Sequence, residues 1–332
     1  MFLNKRVFCH FTSAIFPLLL WLLFAPFFAA AEPLQGAAFS NPDLTQEMDR
    51  EWFDKAIRYN KLKSDADLVV SLNQQFFEFI APYIEQYGKD NKLNIEMQKG
   101  TCGISAGMLS KKQGDIGSFC CPPAKTDRLP GLKFHTIGIH PISILVHPDN
   151  PIENLAFPTI RKIFQGEITR WSELGLEDSL IQVITRLHCK KRPGHWRLLL
   201  DNEDLFSPDS RSVGAIEDMF SLVAQNHSAI GYEVMWLSNR NAGRVKSIKI
   251  DGMDPRNIEH LRSGKYPIYR VLNITTWEDK HLRNPHAEKL AAFITSQTEL
   301  KGSMQGIIPV SELKDAGWKF KGTELVGEPS SE

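Results

Sequence analysis

Five cysteines occur among the 332 residues. Cys9 lies in an apolar leader, and the other four fall in three short segments rich in turn residues. These are Gly100-Thr101-Cys102-Gly103-Ile104-Ser105, Asp115-Ile116-Gly117-Ser118-Phe119-Cys120-Cys121-Pro122-Pro123, and Thr185-Arg186-Leu187-His188-Cys189-Lys190-Lys191. In an oxidising compartment four such thiols read as two disulfides, Cys102 with Cys120 or Cys121 and Cys189 with the other. A bond between the adjacent Cys120 and Cys121 is strained. Gathered as thiolates, the same four suit a soft acceptor such as Cu(I), Zn(II), an iron–sulfur cluster or trivalent arsenic, with His188 and His195 as further nitrogen donors. A third chemistry is thiol redox catalysis at Cys120 and Cys121. No Cys-x-x-Cys, Ser-His-Asp or His-Glu-x-x-His pattern supports it.

The elements around these segments decide what they can reach. Leu68-Val69-Val70 reads as a buried strand, and Phe76, Phe77, Ile80, Ile84 and Tyr87 follow on a helical period. Leu93 to Met97 alternates as a second strand, and Gly100 to Gly107 is a turn leading into a helix. Further strands are expected at Ile137–Val146 and Ile181–Ile184, and helices at Pro158–Phe164, Val213–Val223 and Ala287–Ile294. Asn41-Pro42 marks the start of a lead-in helix through Leu44, Met48, Trp52 and Ala56. The polar tail from Gly327 to Glu332 is expected to be disordered. Alternating strands and helices predict an α/β protein with parallel strands. In such sheets ligands sit beyond the strand carboxyl ends, where unpaired helix N-terminal amides favour negative charge. Those amides also favour thiolates. Lys190, Lys191 and Arg192 either stabilise a thiolate, attract an anion, or form a solvated turn.

The first residues are of a different kind. Lys5 and Arg6 precede an apolar run from Ala14 to Ala31 that ends in Ala29-Ala30-Ala31, the pattern of a secretory signal peptide cleaved near Ala31. An uncleaved anchor is the alternative. Export implies a periplasmic location. With 39 basic and 39 acidic side chains the chain carries no basic excess, which argues against nucleic acid as a partner. A charged share of 23% against 42% hydrophobic excludes a disordered tail protein, and the length suggests two domains.

In this order and spacing, several motifs resemble the periplasmic substrate-binding proteins of ABC transporters, in the branch of the phosphate-binding proteins. They are Gly114-Asp115-Ile116-Gly117 with Pro122, His147-Pro148-Asp149-Asn150-Pro151, Ile163-Phe164-Gln165-Gly166-Glu167-Ile168-Thr169-Arg170-Trp171, Ser228-Ala229-Ile230-Gly231-Tyr232 and Tyr266-Pro267-Ile268, then Phe293, Ser296, Gly306 and Pro309. The resemblance runs from about Asp67 to Val310. It implies an α/β, two-lobed periplasmic binding protein fold with hinge strands between the lobes. Residues 32–138 and 266–332 would form lobe one and 139–265 lobe two, after the signal peptide 1–31. It further implies a binding protein and not an enzyme: a monomer that captures a small solute and passes it to a permease or membrane sensor. Trp171 and Phe164 are expected in the core, and Gly231 at a close backbone approach.

The family's phosphate site uses hydroxyl and glycine turns with an acidic acceptor and an arginine. Here Cys102 stands where that resemblance places the serine of Gly-Ser-Gly, followed by Gly103. Cys120 and Cys121 precede Pro122 where serine or aspartate and then arginine are usual. Arg186 fits the family arginine, and Cys189 then falls on a glycine. The first ligand turn reads Leu72-Asn73-Gln74-Gln75. The ligand residues expected are Asn73, Gln75, Thr101, Cys102, Gly103, Cys120, Cys121, Cys189 and Lys190. A bound soft metal or metalloid would take Cys102, Cys120, Cys121, Cys189 and His188. Phosphate or another oxyanion beside cleft disulfides is the alternative, and a two-lobed domain that binds a partner protein is a lesser one.

Overall fold

The apolar run beginning at Leu68 forms β1 (Leu68–Asn73), buried along its whole length. Asn73 then turns the chain into α2 (Gln74–Asn91), its side-chain oxygen accepting the Phe76 N–H at 3.1 Å as an N-cap. Phe76, Phe79, Ile80 and Ile84 bury one face of α2, each worth about 1.5–3 kcal/mol of apolar burial. β2 (Ile95–Gly100) returns parallel to β1, and α3 (Cys102–Ser110) leads to β3 (Ile116–Phe119), also parallel to β1. The computed structural model describes residues 39–59, 65–186, 199–200 and 205–330. The chain divides into two units, Met1–Leu34 and Gln35–Glu332, and the fold and site lie in the second.

The next strand, β4 (Leu132–Val146), changes partners along its length. Its residues Leu132 to Pro141 pair antiparallel with β10 (Tyr269–Trp277). From Ile142 to Val146 it pairs with β8 (Ala229–Val234) instead. Pro141, which has no N–H to give a ladder, stands at the changeover. A second crossing runs beside it: Ile142 N–H donates to Ile268 O at 3.1 Å, and the buried Tyr266 hydroxyl donates to Ile142 O at 2.8 Å. Beyond the changeover, β6 (Gln182–Arg186) lies parallel to β8 and to β7 (Arg211–Val213). The resulting order is β2-β1-β3-β10-β4-β8-β6-β7, one curled mixed sheet. This is the α/β, two-lobed architecture with hinge strands. The strands are not all parallel, because β4 and β10 cross between the lobes in opposite directions.

Helices α4 (Phe157–Gln165), α5 (Ile216–Gln225) and α8 (Pro285–Lys301) form at the expected places, and Phe164 and Trp171 are buried. Gly231 sits inside β8, where an added Cβ would come within 2.5 Å of Met219 Sδ. Several boundaries differ from expectation; β4, for one, begins five residues early at Leu132. The lead-in helix shrinks to α1 (Arg50–Asp54) capped by Asp49, because Asn41 turns its side chain onto the Asp43 N–H and Gln46 N–H is tied to Arg128 O. Cys102 begins α3 itself and does not precede it. Val213 ends β7, so α5 starts three residues later. The tail is ordered as far as it is described: β13 (Glu324–Gly327) pairs with β12 (Lys319–Lys321), and Glu328 accepts the Tyr269 hydroxyl hydrogen bond at 2.5 Å. Among the described residues no helix is long and apolar enough to cross a membrane. The expected leader, with cleavage expected near Ala31, lies outside the described residues.

Candidate functional site

Two of the three cysteine segments meet. Thr101 caps α3, its hydroxyl accepting the Ile104 N–H at 3.3 Å, and so places Cys102 on the first turn. Cys120 and Cys121 follow the carboxyl end of β3, which lies beside α3. Cys102 Sγ and Cys120 Sγ stand 2.9 Å apart, and the Cys120 N–H donates to Cys102 Sγ at 3.0 Å. The sulfurs of Cys102, Cys120 and Cys121 all lie within 4.8 Å of one another. All three residues are at most 9% exposed.

The hinge strands supply the other polar groups. Arg270 on β10 donates from Nη1 to Cys120 Sγ at 3.3 Å. Burial works against the Arg270 charge, but the electron-rich partners Cys120, Glu233, Tyr232 and Cys102 outweigh it and hold the guanidinium above its usual range. His140 on β4 is the residue directly opposite Arg270 in the ladder. It is 1% exposed, and burial, then the Arg270 charge, push its pKa down to about 3, with Cys120 opposing. Among the described residues, neither ring nitrogen of His140 nor Nε of Arg270 has a hydrogen-bond partner. Buried polar atoms usually find one, so these three form an unsatisfied set beside the sulfurs.

The far side of the cleft carries a latch. Arg186, at the end of β6, pairs with the buried Glu233 at 2.5 Å and reaches across to Gln74 Oε1 at 3.0 Å. Gln75 Nε2 donates to the other Glu233 oxygen at 3.3 Å. Bonds thus run from the start of α2 to β6 and β8. Outside them, Gln74, Glu78 and Lys99 face Ala215, Ile216 and Phe220 across a groove of about 560 Å³.

The expected site residues divide accordingly. Cys102, Cys120 and Cys121 converge. Asn73 lies beside them in the sheet but uses its oxygen in the α2 cap, and its Nδ2 donates to Ser118 Oγ at 3.1 Å. The Gln75 side chain serves the latch, the Thr101 hydroxyl serves the α3 cap, and Gly103 is exposed. Cys189, Lys190, His188 and His195 lie outside the described residues, as do Lys191 and Arg192. Asp115 of the Gly-Asp-Ile-Gly motif is structural: it is buried, its Oδ2 accepts the Val69 N–H at 2.9 Å, and burial raises its pKa against the hydrogen bonds from Tyr59, Val69 and Asn284. Sequence reasoning missed His140, Arg270 and Glu233. The signal was present: each is an ionisable residue inside a strand segment buried throughout, where burial is costly without a partner or a purpose.

Residues 60–188 match the PBP superfamily domain. The phosphate-binding protein PstS of Bacillus subtilis (strain 168) is 24% identical over 262 residues, covering 76% of this chain and 83% of that protein. A putative phosphate ABC transporter substrate-binding protein from Clostridium perfringens, solved with bound phosphate, superposes with a TM-score of 0.64 at 21% identity, over 73% of this chain and 99% of that one. The chain resembles the phosphate-binding proteins of ABC transporters. An ABC-type phosphate transport receptor from Vibrio cholerae shares the fold too, with a TM-score of 0.60 at 20% identity and coverage of 73% and 99%. The thiol cluster follows the carboxyl end of β3 and opens α3, the position at which open α/β sheets hold their ligands.

Proposed function

We propose that the chain is an exported, monomeric solute-binding protein, released by cleavage near Ala31, that closes two lobes over a thiophilic ion. Lobe one takes residues 32–138 and 266–332 and lobe two 139–265; the change of β4 partners at Ile142 supports a division near that point. The cargo is a soft metal or trivalent metalloid, passed to a permease or membrane sensor without chemical change. The observation that carries this reading is the meeting of three sulfurs at the cleft floor with Arg270 on Cys120. Thiolate donors suit soft acceptors, whereas a hard oxyanion calls for hydroxyl and amide donors. Arg270 offsets the charge that gathered thiolates bring, and the orphaned His140 nitrogen offers one more donor. Cys189 and His188 complete the proposed ligand set, and Lys190 adds positive charge.

A second reading has its own support. The 2.9 Å between Cys102 Sγ and Cys120 Sγ also suits a pair that oxidises readily, leaving Arg270 Nε–H and a His140 N–H to hold an oxyanion. Elemental analysis and intact mass of protein exported by its host and purified anaerobically without reductant separate the two. The first reading expects thiols together with a retained thiophilic element, or thiols that take up Cd2+ or arsenite at one equivalent. Intact disulfides with retained phosphate would overturn it.

A further inference from the structure

His147 follows β4 directly, and His227 lies in the turn that enters β8. Their imidazole rings lie tilted against each other, with centroids 3.8 Å apart and an interplanar angle of 37°. Asp149 Oδ2 stands 3.8 Å from His147 Nδ1 and 3.8 Å from His227 Nδ1. One ligand atom from each of the three residues falls within 4.8 Å of the others. We propose that His147, Asp149 and His227 form a second ion site, for a borderline divalent cation such as Zn2+, Ni2+ or Cu2+.

The chemistry selects that class. Two imidazoles and one carboxylate suit Zn, Ni or Cu, whereas Ca2+ and Mg2+ take oxygen ligands. Donors bound tetrahedrally at about 2.0–2.1 Å lie roughly 3.3–3.4 Å from one another, so the two Asp149 spacings of 3.8 Å need to close by about half an ångström, and the third starts from within 4.8 Å. The Asp149 N–H donates to His147 Nδ1 at 3.1 Å, so the lone pair of that nitrogen points at the backbone of the residue that carries the carboxylate. An entering cation takes over this lone pair, and the N–H, in an exposed turn, passes to water. Asp149 and His227 are open to solvent, with 75% and 72% of their side chains exposed, so water completes the coordination and entry is unobstructed.

This site is independent of the thiol cleft. It lies at the start of β8, whereas Glu233 of the latch lies four residues beyond Ala229, about 13 Å along the strand. The test is a titration of the full chain with Co2+ followed by visible absorption, because thiolate ligation produces strong charge-transfer bands that nitrogen and oxygen ligation does not. We expect one equivalent bound without those bands. His227→Ala and Asp149→Asn should each weaken that equivalent by at least tenfold, while Cys120→Ser leaves it in place. Both substitutions are at exposed positions, and an unchanged melting temperature without metal checks the fold. Equal Co2+ affinity in the parent chain and His227→Ala, or loss of the equivalent in Cys120→Ser alone, overturns the proposal.

Discussion

Arg270 Nη1 donates to Cys120 Sγ at 3.3 Å, and the strand residue paired with Arg270 across the ladder is His140. A guanidinium, a sulfur and an imidazole therefore share one buried corner where the two lobes join. Burying a cation is costly unless an anion faces it, so the corner favours a charged sulfur. The antiparallel pair β10 and β4, at the middle of the sheet, holds two of these groups.

Arg270→Gln keeps a hydrogen-bond donor but removes the charge. Charge-assisted bonds contribute about 1.5–3 kcal/mol, so Cd2+ affinity should fall roughly tenfold to a hundredfold. Arg270→Lys, which keeps the charge without the fork, should fall between the two. Titration calorimetry on reduced protein reads the difference, and equal affinity in all three proteins removes Arg270 from the site.

The Arg186–Glu233 pair makes a separate prediction. Both side chains are at most 6% exposed, so removing one strands the other charge in the interior. Arg186→Met should cost about 3–5 kcal/mol of stability. Gln75→Ala, which leaves the ion pair intact, should instead cost little stability and increase the radius of gyration in solution as the lobes part. Denaturant unfolding and small-angle scattering check the two effects.

His135 sets a pH dependence. Its Nε2 lies 2.8 Å from Thr276 Oγ1, and burial, then the charge of Lys133, lower its pKa to about 4. The unfolded chain thus binds this proton first as pH falls. The contribution of His135 to stability is complete above about pH 6.5 and is lost as the pH drops toward 4. Asp115, whose pKa burial raises, acts with the opposite sign, so the informative quantity is the difference from His135→Gln. That variant should show a flatter fall in urea midpoint between pH 7 and 4.5. Parallel curves would remove His135 as a cause.

Gly231 tests the packing of β8. A methyl group there meets Met219 Sδ at 2.5 Å and Val223 Cγ2 at 3.0 Å. Gly231→Ala should destabilise by about 1–3 kcal/mol, whereas Gly214→Ala, with nothing among the described residues within 4 Å, should be close to neutral. Thermal unfolding of the two variants compares them.

Much of this was legible in the chain. The apolar runs at Leu68 and Ile137 announce strands because a strand buried on both faces needs no alternation. The cysteine turns stood out because glycine, proline and sulfur fall together at strand ends. The lead-in helix misled because a local bond from Asn41 to Asp43 N competes with a helix start. The latch was not legible, since Gln74 and Arg186 lie 112 positions apart and only the fold brings them together. His140 and Arg270 were hidden for a related reason: their meaning comes from facing each other across an antiparallel ladder.

The central claim is that sulfur in the cleft takes the cargo. Calorimetric titration of reduced, full-length mature protein with Cd2+, with arsenite and with inorganic phosphate tests it most directly, each repeated on Cys102→Ser and Cys120→Ser. Submicromolar binding of Cd2+ or arsenite that either substitution abolishes, with phosphate weak throughout, is the predicted result. Tight phosphate binding that persists in both variants, with neither thiophilic probe bound, would contradict it.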